Sequence, residues 1–352
     1  MNSKSMVKNG SNRRGFLKSL GLGVASAAAF APFVRAEVKS GSKRPIVGAG
    51  EHTYEVIHDW ARVPDRCALG NTHGVIENAY GQIVVKQTVG KGSRCDDAIL
   101  VFHADGKFVE SWGKEFKGGA HGLHKAFEGD EEFYYLCDTN RRLVMKTRPN
   151  GEELWRVGAA DCGDVYNDAN KFCPTNVATA PDGTVFVADG YGSSFVHRFS
   201  RDGKYEGTFG GAGNDAGQLN CPHGLMVDTR GDSPRLLVAD RGNRRLQYFD
   251  LHGRHLGFVK DELRAPCHFA EHNGTLLIPD LESRLTLFDR ENKLITHLGD
   301  GGHYNGVRDK AREAFKNGKF VAPHSACFDR TGNIFVVEWV EVGRITKLRK
   351  LA

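Results

Sequence analysis

One phrase recurs along this chain, and it limits the fold more than any other feature. It opens with a small residue or Pro and a polar residue, then a short apolar strand. A turn with Gly or Asn follows, then a β-branched strand ending in an acid, then a third strand. The clearest copy reads Pro174-Thr175-Asn176-Val177-Ala178, Pro181-Asp182-Gly183, Val185-Phe186-Val187-Ala188-Asp189 and Phe195-Val196-His197-Arg198-Phe199. The next runs from Pro222-His223-Gly224-Leu225 through Leu236-Leu237-Val238-Ala239-Asp240 to Arg245-Leu246-Gln247-Tyr248-Phe249. Other openings stand at His73-Gly74-Val75, His121-Gly122-Leu123, Pro266-Cys267-His268-Phe269 and Pro323-His324-Ser325-Ala326. Six openings, roughly 45 to 56 residues apart, match blades of four short strands and predict an all-β, six-bladed β-propeller over residues 37–352.

The strands are rich in Val, Ile, Leu and Phe and are separated by Asp105-Gly106, Asn150-Gly151, Asp202-Gly203 and Gly332-Asn333 turns. One helical stretch is expected, from Val307 to Lys316, as a surface insertion before the last blade. That blade supplies strands around Ala326–Phe328, Ile334–Trp339 and Arg344–Leu348 and then lacks a fourth. A ring must close or leave two open edges. Tyr54–Trp60, which precedes the first opening, is expected to close it.

Residues 1–36 read as a leader. They carry Lys4, Lys8, Arg13, Arg14, Lys18 and Arg35 and no acid. Ser11-Asn12-Arg13-Arg14-Gly15-Phe16-Leu17-Lys18 resembles a twin-arginine (Tat) export motif. The apolar run Leu20 to Ala31 is shorter than the roughly 20 residues a bilayer requires, and Val34-Arg35-Ala36 supplies a processing site. The reading implies passage through the Tat translocase and a periplasmic or secreted protein with no membrane span in its mature form.

The leader also explains the basic pI. The chain is +5, but six of its 48 basic residues leave with the leader, and its 43 acids remain, so the mature part stands at −1. No Lys/Arg run survives to bind phosphates, which argues against a nucleic-acid partner. All eight Cys lie in the mature part with no CxxC pair, so a zinc ribbon is unsupported and any disulfide pairing stays open.

The innermost strand of each blade lines the axis, so matching positions form a ring. Aligned on the opening phrase, that ring reads His73, His121, Asn176, His223, His268, His324, five of the chain's fifteen histidines. Alternate blades place His121, His223 and His324 about 120° apart. Three imidazoles converging on one point with open positions beside them suit a divalent metal, with zinc the expected ion. His73, Asn176 and His268 would form a second polar layer or hold substrate. The rival reading is a solvated polar channel.

The acids that close the second strands, Asp138, Asp189, Asp240, Asp280 and Glu338, read as caps of backbone N–H groups. Just beyond two of them, Tyr191 and Arg241 are placed on loops at the channel mouth. A phenol near a metal can act as a general base once its pKa is lowered, and a guanidinium can hold a carboxylate. His197, on a third strand, is expected to lie away from the axis.

Phe172-Cys173-Pro174-Thr175-Asn176-Val177 through Asp189-Gly190-Tyr191, then Pro222-His223-Gly224-Leu225, Val238-Ala239-Asp240-Arg241 and Ala322-Pro323-His324, resembles peptidyl-α-hydroxyglycine α-amidating lyase. That family is a six-bladed propeller of the NHL-repeat kind. The resemblance covers most of residues 70–350. It implies that His121, His223 and His324 are zinc ligands, Tyr191 is catalytic and Arg241 contacts substrate. It implies cleavage of an N-substituted α-hydroxyglycine, a small polar substrate, into an amide and glyoxylate.

Four departures stand out. A second Arg of the family belongs at the end of the second strand of blade one, which here reads Val84-Val85-Lys86-Gln87-Thr88. Ser325 replaces an Asp that ligates the family's structural calcium, which puts a calcium site in doubt. Cys173 matches a disulfide cysteine, but its partner position is Gly192. His73 and His268 are imidazoles the family pattern does not require. Other functions consistent with the residues are a metal-dependent saccharide lyase or hydrolase, a redox protein using the histidine ring, and a non-catalytic propeller that binds protein or carbohydrate.

Overall fold

A computed structural model describes residues 44–351. The leader and its processing site lie outside the described residues. Six antiparallel sheets are arranged as the blades of a propeller. Blade one comprises Thr72–Glu77, Ile83–Gln87, Ile99–Phe102 and Phe108–Trp112. Blades two to five repeat this order from Ala120–Glu128, Asn176–Thr179, Pro222–Asp228 and Ala270–His272 outward. The innermost strands neighbour one another around the axis.

Each second strand is apolar on both faces because each blade is sandwiched between two others. Ile83 and Val85 point toward blade six, where they meet Phe335 and Val337. Val84, between them, points toward blade two and meets Leu136 and Met145. This is the period-two alternation of a strand with two buried faces. Comparable clusters fill the other four junctions between consecutive blades. Each fully buried aliphatic side chain in them contributes about 1.5–3 kcal/mol.

The sixth sheet has five strands. Pro323–Phe328, Ile334–Glu338 and Arg344–Lys350 are joined on the outside by His52–Ile57 and then by Ile46–Ala49. Tyr54 lies opposite Lys350 and Ile57 opposite Lys347. The closing strand therefore ends at Ile57, earlier than expected, and the additional outer strand is carried by only four residues. Trp60 follows the strand and wedges between Phe102 and Phe335, with ring centroids 5.8 and 4.8 Å away. Its indole donates to the Ala104 carbonyl at 3.1 Å.

The expected helix over Val307–Lys316 is absent. That region has only two short 3₁₀ turns, Tyr304–Val307 and Arg312–Ala314. Ten residues are too few to make an isolated helix stable. Here Tyr304, Val307 and Phe315 are instead pinned against a small cluster of Val321, Ala322 and Val340.

The acids at the ends of the second strands cap backbone. Asp189 accepts from the amides of Cys173 and Ser193 at 2.6 and 2.7 Å. Asp280 accepts from Arg264, Ala265 and Glu282. Asp240 holds Asn220, and Glu338 holds Val321. In blade one the matching residue is Gln87, opposite Thr72 as Asp240 is opposite Pro222. Its Oε1 accepts from Gly70 N at 2.7 Å, and its Nε2 donates to Asp97 O at 3.2 Å.

Candidate metal centre

The strand register fixes which residues reach the axis. Ala120 pairs with Asp138, Pro222 with Asp240, Pro323 with Glu338 and Thr72 with Gln87, and a bulge follows each pair. The next residue in each case is a histidine: His121, His223, His324 and His73. In blade five the same pairing is Pro266 with Asp280, which puts Cys267 at this position. In blade three Val177 pairs with Val187 as Leu225 pairs with Val238, which puts Thr175 there. The ring is therefore His73, His121, Thr175, His223, Cys267, His324. Asn176 and His268 are one residue out of the expected register, and a one-residue slip turns a strand side chain to the other face.

His121, His223 and His324 form a nearly equilateral triangle. Their ring centroids are 4.9, 4.8 and 4.7 Å apart. Nδ1 of each ring meets a main-chain oxygen of the following blade. His121 meets Thr175 O at 2.7 Å, His223 meets Cys267 O at 2.9 Å, and His324 meets His73 O at 2.8 Å. A carbonyl only accepts, so each Nδ1 must carry the proton and each Nε2 presents a lone pair. Gly122 and Gly224 make this approach possible. A Cβ on either would lie 2.5 Å from the same Thr175 or Cys267 oxygen. Ser325 takes that place after His324.

All three histidines are buried, and desolvation pushes their pKa values well below the ordinary imidazole value, so they are neutral. The Tyr191 hydroxyl lies 3.1 Å from His121 Nε2 and 3.0 Å from His223 Nε2. It has one proton for two lone pairs, and His324 Nε2 has no partner among the described residues. Three imidazoles oriented by backbone acceptors, each with its Nε2 lone pair free of a proton, fit a divalent metal.

Tyr191 is 43% exposed overall, but its hydroxyl end is sunk among the histidines. Burial therefore raises its pKa to about 12 despite the nearby Arg241 charge. Arg241 lies over the phenol ring at 5.4 Å and donates to Tyr191 Oη at 3.5 Å and to Cys221 Sγ at 3.0 Å. The two loops thus bring a phenol and a guanidinium to one edge of the triangle.

The expected second layer of His73, Asn176 and His268 is not assembled. Asn176 turns back to accept from Val177 N at 2.7 Å. His268 lines a separate chamber of about 270 Å³ with Val75, Leu123, His124, Leu225 and Cys327. These residues lie farther along the inner strands, toward the other end of the channel. His73 joins the triangle instead, with ring centroids 5.1 Å from His121 and 4.8 Å from His324. The ligand atoms of His73, His121 and His324 all lie within 4.8 Å of one another. That grouping omits His223, whose ring is as close to His121 and His324 as they are to each other. The backbone bond and Tyr191 contact that His223 shares with His121 place it in the same centre.

Lys86 was not anticipated as part of this neighbourhood. It is fully buried, and its ammonium donates to Cys137 O at 2.6 Å and Gly122 O at 3.1 Å. Burial lowers its pKa to about 8. In sequence it is one lysine among many, and only the blade packing reveals its burial. His197 is away from the axis, as expected, but is wholly buried between Tyr166 Oη at 2.8 Å and Thr208 Oγ1 at 2.7 Å.

Two other departures have physical reasons. Cys173 is a free thiol, as are the other seven cysteines. A side chain at Gly192 would lie 2.0 Å from Asp189 Oδ1 and 2.1 Å from Lys171 O, so this backbone has no room for a cysteine there. Ser325 is fully buried, and its hydroxyl has no partner among the described residues. It brings no charge to a calcium ion, which prefers several oxygens including carboxylates. A surface hollow of about 400 Å³ beside Arg235, Tyr248 and Phe258 touches none of the ring residues.

No family model matches the chain. Over 179 residues, 49% of its length, it is 34% identical to peptidylglycine alpha-amidating monooxygenase of Rattus norvegicus, of which it covers 18%. Over 270 residues it is 34% identical to peptidyl-alpha-hydroxyglycine alpha-amidating lyase 1 of Drosophila melanogaster, with 70% of this chain and 48% of that protein covered. The chain thus spans less than half the length of these curated relatives. Among solved structures, virginiamycin B lyase of Staphylococcus aureus superposes with a TM-score of 0.55 at 12% identity, over 85% of this chain and all of that one. At that identity the likeness shows the fold alone. The chain is a six-bladed propeller of the NHL-repeat kind that resembles the amidating lyases. Among the described residues no helix is long and apolar enough to cross a membrane.

Proposed function

We propose that this protein is an exported, metal-dependent lyase that splits N-substituted α-hydroxyglycines into an amide and glyoxylate. One observation carries the reading. Three imidazoles of alternate blades are held by backbone acceptors with their Nε2 lone pairs turned inward, and one tyrosine hydroxyl faces two of those lone pairs. Zinc is the ion we assign. Bound to His121, His223 and His324, it would polarise a substrate oxygen. Tyr191 is placed to exchange a proton with the substrate hydroxyl, and Arg241 to hold its carboxylate through two parallel hydrogen bonds. The relatives named amidating lyases support this substrate class.

Metal content decides the reading. Protein purified without chelator is expected to hold one divalent ion per chain and to release glyoxylate from an N-acyl-α-hydroxyglycine. His223→Ala is expected to lose most of the ion. A folded wild-type protein that takes up no metal would overturn the enzyme reading and favour a binding propeller. Export is tested separately. Arg13→Lys with Arg14→Lys is expected to hold the precursor in the cytoplasm, and normal export of that variant would point to another route.

A further inference from the structure

We propose that His73 is a fourth ligand, so that the axial centre is a four-histidine site. The proposal rests on the metal reading above and goes beyond the three ligands that reading needs.

His73 occupies the same ring position as the other three. It follows a residue paired to the end of the second strand, and it sits at the same bulge. Bulges re-aim side chains, often beside functional sites. Its ring packs against both His121 and His324. The four imidazoles thus form two near-equilateral triangles that share the His121–His324 edge.

Its hydrogen bonding is the second observation. His73 is 8% exposed, and neither ring nitrogen has a partner among the described residues. Each of the other three donates Nδ1 to a carbonyl. A buried polar atom without a partner is costly, so an unligated imidazole is a poor way to fill this space. A metal ligand bond would satisfy one nitrogen directly. Imidazole nitrogens bind at about 2.0–2.1 Å. The 4.8 Å limit on the His73, His121 and His324 ligand atoms therefore calls for a modest inward closure of side chains. Four neutral imidazoles suit zinc, copper, iron and nickel alike.

The test loads the metal-free protein with one equivalent of copper(II) and counts the coordinated imidazoles by pulsed electron paramagnetic resonance. Four are expected in the wild type. His73→Gln is expected to keep copper on three imidazoles with about tenfold weaker affinity. Three imidazoles in the wild type would overturn the fourth ligand while leaving the three-histidine reading intact, and fewer than three would overturn both. This count needs no variant, so it holds even if His73→Gln fails to fold. An unchanged count and affinity in a folded His73→Gln would overturn it too. No copper or zinc uptake by the wild type would overturn both readings.

Discussion

The hydroxyl of Tyr191 lies 3.0 Å from Nε2 of His223, facing a nitrogen whose proton is already committed to the far side of the ring. The same hydroxyl faces His121 Nε2 at 3.1 Å. The phenol can satisfy only one of them, so it is not needed to hold the imidazoles in place. Tyr191→Phe is therefore expected to keep the wild-type metal content, measured by elemental analysis. Glyoxylate release is expected to fall by about 10² or more, the usual worth of a positioned proton-transfer group. Loss of the ion in this variant would make Tyr191 a ligand instead.

Gln87→Glu tests the cap of blade one. The amide donates to Asp97 O and accepts from Gly70 N. A carboxylate keeps the second bond but turns an acceptor toward an acceptor. The variant should lose about 1–3 kcal/mol, measured by urea unfolding at pH 7. A neutral or stabilising result would show that the amide's donor side is dispensable.

The closing strands should carry much of the ring's stability. Tyr54 is 1% exposed and packs with Leu277, Leu298 and Leu348 across the junction of blades five and six. Tyr54→Ala is expected to cost about 3–5 kcal/mol, as for other large aromatic truncations. Removing residues 44–57 exposes the edge of Arg344–Lys350 and should produce aggregation. Light scattering and thermal melting measure both. A truncated protein that stays monomeric and melts normally would refute closure by these strands.

Acid should destabilise the metal-free fold. Burial holds the pKa of His197 at about 4, below the unfolded value of about 6.5. Between those values the unfolded chain binds more protons than the folded one. The contribution is fully present above pH 6.5 and is lost as the pH falls through 6.5 toward 4. For one group it amounts to on the order of 3 kcal/mol. His58 is lowered to about 3, chiefly by burial, and acts in the same direction. Urea midpoints measured on chelator-treated protein should fall from pH 7 to pH 5, with a shallower fall in His197→Gln. Equal slopes in the two proteins would remove His197 from the account.

The repeat made the six blades legible because each copy carries its own apolar alternation and its own turn. The histidine triangle was legible for the same reason, since His121, His223 and His324 each follow Ala or Pro at the same point of the phrase. The ring went astray where polar residues stand side by side. Thr175-Asn176 and Cys267-His268 each offer two candidates, and only the strand register selects the first. Gln87 escaped notice as a cap because it lacks the charge that marks the other five. The outer strand Ile46–Ala49 is too short to show a period. The helix expected over Val307–Lys316 reflects local preference that anchoring at both ends overrides.

The bond between blade six and the strand His52–Ile57 joins residues almost 300 positions apart. A ribosome adds about 5–20 residues each second. The strand containing Tyr54 therefore waits on the order of a quarter-minute to a minute for Arg344–Lys350 to be made. Throughout that interval the nascent chain carries an unpaired edge, and for most of it the axial histidine of blade six, His324, is still missing. The ring can lock only after Arg344–Lys350 has been made. A holding chaperone that shields His52–Ile57 during that time would raise the yield of folded protein without touching any contact of the finished molecule.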